Sequence, residues 1–204
     1  RLEKYSDSKK KGDKPKYVGT LGDESNDNKK LRTLQSCLRI TYTSPKTMHW
    51  ITVILSNLLE NEATDIISVL ENYCKKKVVD SDYQNRKGFG FERIVFCYLD
   101  YLIYRDGYSY DGKEIISSMQ EDWQFQFRSS VEHFYPQHPV EGEQWEEDDL
   151  NGFGNLALIT ISGNSKFSNL PPVGKINSYP SVIKQSLKLK IMEKMTRLGD
   201  GKWT

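Results

Sequence analysis

The sequence feature that most constrains the fold is an apolar stripe in residues 91–103. Apolar or aromatic side chains recur there at alternating spacings of three and one, at positions 91, 94, 95, 98, 99, 102 and 103. This spacing places all of them on one face of an α-helix. Gly88 and Gly90 precede the stripe and separate it from earlier elements. The pattern predicts a central helix against which the rest of the chain packs.

Shorter apolar stripes predict further helices on both sides of the central one. The first begins at Leu31, and the second begins at Ser44-Pro45, because proline is favoured at the first position of a helix. The second helix is predicted to have one apolar face: Ile51, Ile54, Leu55, Leu58 and Leu59. A third helix carries Ile66, Val69, Leu70 and Tyr73. A last helix is predicted over residues 182–198, with its basic side chains pointing outward: Lys184, Lys188, Lys190, Lys194 and Arg197.

Length and composition limit the number of domains. The chain has 204 residues, of which 37% are hydrophobic and 28% charged, and this predicts one globular domain with or without an appended arm. Residues 1–30 are rich in Lys, Asp, Ser and Gly, so they are predicted to be a flexible linker or arm. Residues 31–204 would then form one helical domain. Because the sequence begins without Met or an apolar signal region, we expect it to be a piece of a longer protein.

The cysteines and the hydropathy indicate the cellular environment. Cys37, Cys74 and Cys97 are widely spaced and form no Cys-x-x-Cys pair, so we expect buried thiols in a reducing cytoplasm and no structural zinc. The sequence contains no apolar run of about 18 residues, the length that a membrane-spanning helix needs. A membrane partner is therefore not predicted.

The strongest indication of chemistry is a carboxylate beside a histidine, Glu132-His133, at the end of a β-rich run that Pro136 stops. The aromatic residues before the pair alternate as in a half-buried strand: Trp123, Phe125 and Phe127. Residues 156–161 form a second apolar run, and the polar residues after it predict a short helix. The layout of this region is strand, loop, strand, short helix. The predicted fold class is therefore α+β, with a mostly helical domain around this embedded unit.

This arrangement resembles the ββα-metal finger of HNH (His-Me finger) nucleases. More narrowly, it is similar to the C-terminal nuclease domain of GmrSD-type modification-dependent restriction endonucleases. The resemblance rests on four pieces of sequence: Glu-His-Phe-Tyr-Pro-Gln at 132–137, Gly-Asn-Leu-Ala-Leu-Ile at 154–159, Asn-Ser-Lys-Phe-Ser-Asn at 164–169, and Lys175. It extends more loosely from about residue 93 to the last residue, and it implies a metal finger at about residues 122–175.

The resemblance implies a metal-dependent DNA endonuclease that restricts modified or phage DNA as an antiviral defence. It also implies an N-terminal NTP-handling or sensor domain in the parent protein. Pairing of two copies into a homodimer stays open. The basic residues after position 163 support a nucleic-acid partner, because they number eight against two acidic ones.

Each candidate site residue has a chemical role. His133 is the candidate general base, because a histidine is mostly neutral at pH 7 and can accept a proton from water. Glu132 and Asn164 offer oxygen ligands suited to Mg²⁺ or Mn²⁺. Lys166 and Lys175 are candidate contacts to substrate phosphates. The resemblance gives Asn155 a different role, in which its amide braces the loop that carries His133.

Several alternatives stay open. Glu132-His133 could be an ordinary surface pair, Asn155 and Asn164 could be turn residues, and Asn169 is an alternative ligand. The acidic residues between positions 141 and 149 are predicted to form a solvated loop that repels DNA. At the level of function, the alternatives are a non-catalytic nucleic-acid-binding or interaction module and an RNA-directed nuclease.

Overall fold

The computed structural model describes residues 3–4, 16–17, 26–199 and 203. Its helices are α1 (Asn26–Thr41), α2 (His49–Glu60), α3 (Ile66–Asp80), α4 (Arg93–Asp106), α5 (Glu147–Leu150), α6 (Ile161–Phe167), α7 (Pro172–Ser178), α8 (Pro180–Ile183) and α9 (Leu187–Leu198). Its strands are β1 (Glu3–Lys4), β2 (Lys16–Tyr17), β3 (Tyr108–Tyr110), β4 (Lys113–Ile116), β5 (Ser130–His133) and β6 (Leu156–Ile159). The strands form antiparallel pairs, β1 with β2, β3 with β4, and β5 with β6. The predicted α+β class is confirmed.

Helix α4 lies at the centre, as the apolar stripe predicted. Nine of its 14 residues are buried. Helices α1 and α3 pack against it through apolar side chains and the three cysteines, which are buried free thiols as expected. Helix α9 and strand β6 also contact α4. The central helix therefore connects the first helices of the chain with the region that carries the candidate site.

Strands β5 and β6 form the hairpin that holds this site. The register pairs Ser130 with Ile159, Val131 with Leu158, Glu132 with Ala157 and His133 with Leu156. Because side chains alternate along a strand, Glu132 and His133 point to opposite faces of the hairpin. One face packs in the apolar cluster of α4, and the other packs in a second cluster with α6 and α7. Helix α6 follows β6 directly, and the Thr160 hydroxyl caps it by accepting a hydrogen bond from the N–H of Gly163.

A buried ion pair connects α4, the segment before β5 and the start of α9. Asp100 lies 2.6 Å from Arg128, and both side chains are almost completely buried. The other carboxylate oxygen of Asp100 accepts hydrogen bonds from the Ser186 hydroxyl (3.0 Å) and from the N–H of Lys188 (2.8 Å). One carboxylate thus stabilises the N-terminus of α9 and neutralises a buried guanidinium.

A predicted strand and the bounds of the last predicted helix are wrong. The alternating residues Trp123, Phe125 and Phe127 form no strand, because in this described segment no partner strand supplies hydrogen bonds to them. The last predicted helix is interrupted, because α8 ends at Ile183 and Ser186 caps a new helix, α9. Lys188 then points inward, not outward, and only 8% of it is exposed.

The second predicted helix forms, but its apolar face is largely uncovered. Residues 45–47 make a separate 3-10 turn, so α2 begins later than predicted. Among the residues of α2, only Trp50 is buried, whereas Leu55 and Leu59 are 56% and 89% exposed. The helix packs mainly against α3. Apolar spacing thus predicted the helix and not the extent of its burial.

The first residues of the chain were predicted to be a flexible arm. Helix α1 begins at Asn26, so residues 26–30 are helical. Strands β1 and β2 pair with each other, and the other residues of the predicted arm lie outside the described residues. Among the helices that the structure describes, none has the length and hydropathy needed to cross a membrane.

Candidate functional site

Glu132 forms a buried ion pair on one face of the hairpin. Its Oε1 lies 2.8 Å from the Nζ of Lys175, a residue of α7 whose side chain is fully buried. The same Nζ donates a hydrogen bond to the backbone oxygen of His133 at 2.5 Å. Burial raises the pKa of the Glu132 carboxyl and lowers the pKa of the Lys175 ammonium, and their mutual attraction opposes both changes. Lys175 therefore holds both residues of the Glu132-His133 pair.

Asn164 lies near Glu132 on the same face. Its Nδ2 donates a hydrogen bond to the hydroxyl of Ser130 at 2.7 Å, and Ser130 precedes Glu132 by two positions in β5. Residues two apart in a strand share a face, so the Asn164 amide and the Glu132 carboxylate are on the same side of the hairpin. Lys166, on the same short helix α6, is exposed. Its side chain is therefore open to solvent.

His133 lies on the opposite face and is only 4% exposed. Its Nε2 is 3.0 Å from the Oδ1 of Asn151. The ring of Phe89 packs edge-on against the imidazole at a centroid distance of 5.6 Å, and Phe89 is itself 67% exposed. Because an amide oxygen accepts, Nε2 carries the proton in the neutral ring and the lone pair lies on Nδ1. This face of the hairpin thus offers one basic nitrogen.

Asn151 and Phe89 are site neighbours that the sequence reasoning missed. The N–H of Gly88 donates to the backbone oxygen of Asn151 at 2.8 Å. Gly88 has a φ of +55°, and a Cβ there would lie 3.0 Å from the Asn151 Oδ1. The positive φ and this close approach both favour glycine at position 88. The signal in the sequence was the Gly-Phe-Gly stretch, which indicated a turn and not its position beside the imidazole.

Asn155 fixes the chain that follows His133. Its Oδ1 accepts a hydrogen bond from the N–H of Tyr135 (2.7 Å), and its Nδ2 donates to the oxygens of Tyr135 (3.1 Å) and Leu150 (2.9 Å). The residue is 1% exposed. Asn155 therefore braces the turn after His133. Its contribution to a reaction stays a prediction.

The predicted site residues do not meet in one pocket. Glu132, Asn164 and Lys175 share one face, whereas the His133 imidazole lies on the other, because adjacent residues of a strand point in opposite directions. Lys175 was predicted to contact phosphates. Its fully buried ammonium cannot do so in this conformation, and we reassign it as the partner of Glu132.

The oxygen atoms near Glu132 determine which cation could bind there and through how many protein ligands. A carboxylate and an amide oxygen are the ligand types that Mg²⁺ prefers, and Mg²⁺ needs only one or two protein ligands. Glu132 and Asn164 fit this requirement by type, although Lys175 occupies one carboxylate oxygen. Within the described ranges, no group of three or more His, Cys, Asp or Glu side chains is arranged to hold a metal ion. A cation here would therefore rely on few protein ligands.

Comparison with known protein families shows which family this chain belongs to. The family described as GmrSD restriction endonucleases, C-terminal domain, matches residues 78–204. The chain belongs to this family. Neither the curated proteins nor the solved structures contain a match. The matched part of this GmrSD C-terminal domain includes α4, the β5–β6 hairpin and α6 to α9, so it contains every predicted site residue. Family membership places the chain among restriction endonucleases.

In the GmrSD C-terminal domain, replacing Lys175 by methionine is expected to destabilise the fold by about 3 kcal/mol, because the buried Glu132 carboxylate loses its cation. Urea unfolding measures the change. The double variant Lys175→Met/Glu132→Gln should recover most of the loss, since no unpaired charge remains. Lys166→Met, at an exposed position of α6, is the control and should change the stability by less than about 0.5 kcal/mol. A similarly small loss in Lys175→Met would contradict the ion pair.

Proposed function

We propose that this chain is a metal-dependent HNH-type endonuclease that hydrolyses DNA phosphodiester bonds during the restriction of modified or phage DNA. The observation that carries the proposal is the family match, which includes a histidine and a carboxylate side by side at the tip of a hairpin. Three polar side chains hold this tip: Lys175, Asn151 and Asn155. Such support is what a preorganised catalytic group requires. The strand, strand and helix of β5, β6 and α6 would form the metal finger.

In this proposal, His133 is the general base. Asn151 leaves the Nδ1 lone pair available, so Nδ1 accepts the proton of the attacking water. Phe89 packs edge-on against the ring, so water and phosphate would have to reach Nδ1 past its largely exposed side chain. Lys175 and Asn155 keep the backbone on either side of the imidazole in place.

Glu132 and Asn164 would hold the cation, Mg²⁺ or Mn²⁺. When bound, a divalent cation neutralises charge on the phosphate and on the leaving oxygen. For one phosphate to approach both His133 and Glu132, it would have to lie across the end of the hairpin where His133 pairs with Leu156, whereas Asn164 contacts Ser130 at the other end of the strand pair. Lys166 is exposed on α6 and would contact a neighbouring phosphate.

The proposed partners follow from the family. DNA is the proposed substrate, and a preceding NTP-handling or sensor domain of the parent protein would supply specificity. The acidic segment at residues 141–149 runs into α5, includes exposed carboxylates and would keep DNA away from that side. We place the protein in the cytoplasm, where phage DNA enters.

A second candidate function is a nucleic-acid-binding module without catalysis. Two observations favour it: His133 is 4% exposed, and Lys175 already neutralises Glu132. A buried histidine and a carboxylate already paired with a lysine are both expected of a finger that no longer catalyses hydrolysis.

Incubation of the purified chain with supercoiled plasmid separates the two functions. We expect nicked or linear product with Mg²⁺ or Mn²⁺, and none with EDTA. Single-stranded RNA of matched length is the comparison substrate, and faster RNA cleavage would assign an RNA-directed nuclease instead. Retarded but intact DNA in every metal condition would support the binding module and contradict the proposed hydrolysis.

A further inference from the structure

Lys188 is a buried lysine that the proposed mechanism does not use. It is the second residue of α9, and its Nζ donates hydrogen bonds to the backbone oxygens of Phe153 (2.8 Å), Gly154 (3.3 Å) and Leu156 (2.6 Å). The Nζ also lies 4.7 Å from the centre of the Phe153 ring. One ammonium therefore holds three carbonyls of the turn that leads into β6.

This turn carries Asn155. The three bonded carbonyls belong to the two residues before Asn155 and to the residue after it. Asn155 in turn holds both backbone polar groups of Tyr135, two positions after His133. A continuous chain of hydrogen bonds and backbone thus joins Lys188 to the turn beside the candidate base.

The charged groups around Lys188 are few and identifiable. Asp100 of α4 accepts a hydrogen bond from the Lys188 N–H at 2.8 Å and is itself paired with Arg128. The sulfur of Met192 lies 3.7 Å from the Nζ. Burial lowers the pKa of Lys188 to about 7, while Asp100 opposes this change. The carbonyl oxygens also favour the protonated form, because an ammonium has three donors and a neutral amine has two.

We propose that Lys188 is a positioning residue for the candidate base, and that its ammonium fixes the turn holding Asn155 and thereby the His133 imidazole. The inference that this affects catalysis rests on the proposed nuclease function. The positional claim itself does not, because it concerns only the environment of His133. Deprotonation of Lys188 would leave two donors for these three carbonyls and loosen the turn.

The first test is nitrogen NMR of the histidine rings in ¹⁵N-histidine-labelled protein. The chain has three histidines, so His133 is observed beside His49 and His138. In Lys188→Met, the His133 ring signals should shift while the other two histidines keep theirs. Lys190→Met is the matched control, because Lys190 bonds the Gln120 side chain instead of this turn. Unchanged His133 signals in Lys188→Met would overturn the proposal.

The wild-type protein supplies a second measurement that needs no variant. If Lys188→Met does not fold, the His133 ring signals of the wild type are followed from pH 6 to pH 9. A step with the same midpoint as the titration of the Lys188 side chain is expected. If the His133 ring signals show no step at the midpoint of the Lys188 titration, the proposal is overturned as well.

Cleavage assays add the functional consequence. Wild-type kcat should fall above the pH at which the Lys188 ammonium loses its proton, and KM should change little. Lys188→Met should show at least a tenfold lower kcat at pH 6.5 and no such fall at higher pH. If the wild type cleaves nothing, the proposed function fails while the NMR result still decides the role of Lys188. Equal kcat values and pH profiles in both proteins would refute the positioning role.

Discussion

His133→Ala is expected to reduce plasmid cleavage by about 10²–10⁴-fold, the usual contribution of a general base. The reason is that Nδ1 of His133 is the free basic nitrogen at the hairpin tip once Asn151 has engaged Nε2. The initial rate of nicking, with Mg²⁺ and saturating DNA, measures the effect. DNA binding in gel retardation should stay close to that of the wild type, because the imidazole is almost fully buried.

The matched control for this variant is His138→Ala. His138 lies exposed in the loop five positions after His133, and its removal should leave the cleavage rate unchanged. Circular dichroism must show that His133→Ala is folded, since losing its buried hydrogen bond should cost only about 1–3 kcal/mol. A folded His133→Ala protein that cuts at the wild-type rate would exclude this histidine as the base.

Asp100→Ala is expected to lower the free energy of unfolding by about 3–5 kcal/mol, because Arg128 would be left as an unpaired charge in the core. The Nε and Nη2 of Arg128 already find no hydrogen-bond partner among the residues that the structure describes. The same substitution removes two acceptor contacts at the start of α9. Urea or guanidinium denaturation measures the loss.

Two further variants isolate the cause. Asp100→Leu combined with Arg128→Met removes both charges and should restore much of the stability. Glu193→Ala breaks the exposed pair with Arg197 and should cost less than about 1 kcal/mol. If Asp100→Ala lowers the free energy of unfolding no more than Glu193→Ala does, the buried pair does not stabilise the fold as its geometry indicates.

The elements with strong local patterns were predictable from sequence. The apolar spacing of residues 91–103 identified α4, and the apolar run beginning at Leu156 identified β6. The polar residues after that run correctly indicated a short helix, α6. Periodicity reports which side chains share a face, so it succeeds wherever one face is buried.

The burial of charged residues was not predictable in the same way. From the sequence, Lys175 and Lys188 were expected to be exposed, because lysine is almost never fully buried without a partner. Their partners are Glu132 and a set of backbone oxygens 32 to 43 positions earlier in the chain. No local pattern encodes those pairings. The strand at Trp123 failed for the same reason, since a strand depends on a distant neighbour.

The placement of Glu132 and His133 on opposite faces could have been read from the sequence. Adjacent residues of a strand point to opposite faces, whereas the motif alone suggested that the Glu132 and His133 side chains lie together. The resemblance supplied the residue types, while the geometry of the hairpin shows how they are presented. The motif therefore named candidate residues and did not describe how the hairpin presents them.

The central position of α4 has a consequence for how the protein tolerates sequence change. Helices α1 to α3 meet α4 in a cluster of apolar side chains and thiols, where swaps of similar volume cost little. On the hairpin side, Asp100 of the same helix anchors a network of charges whose members depend on one another. Mutational scanning should thus find one flank of a single helix permissive and the other nearly invariant.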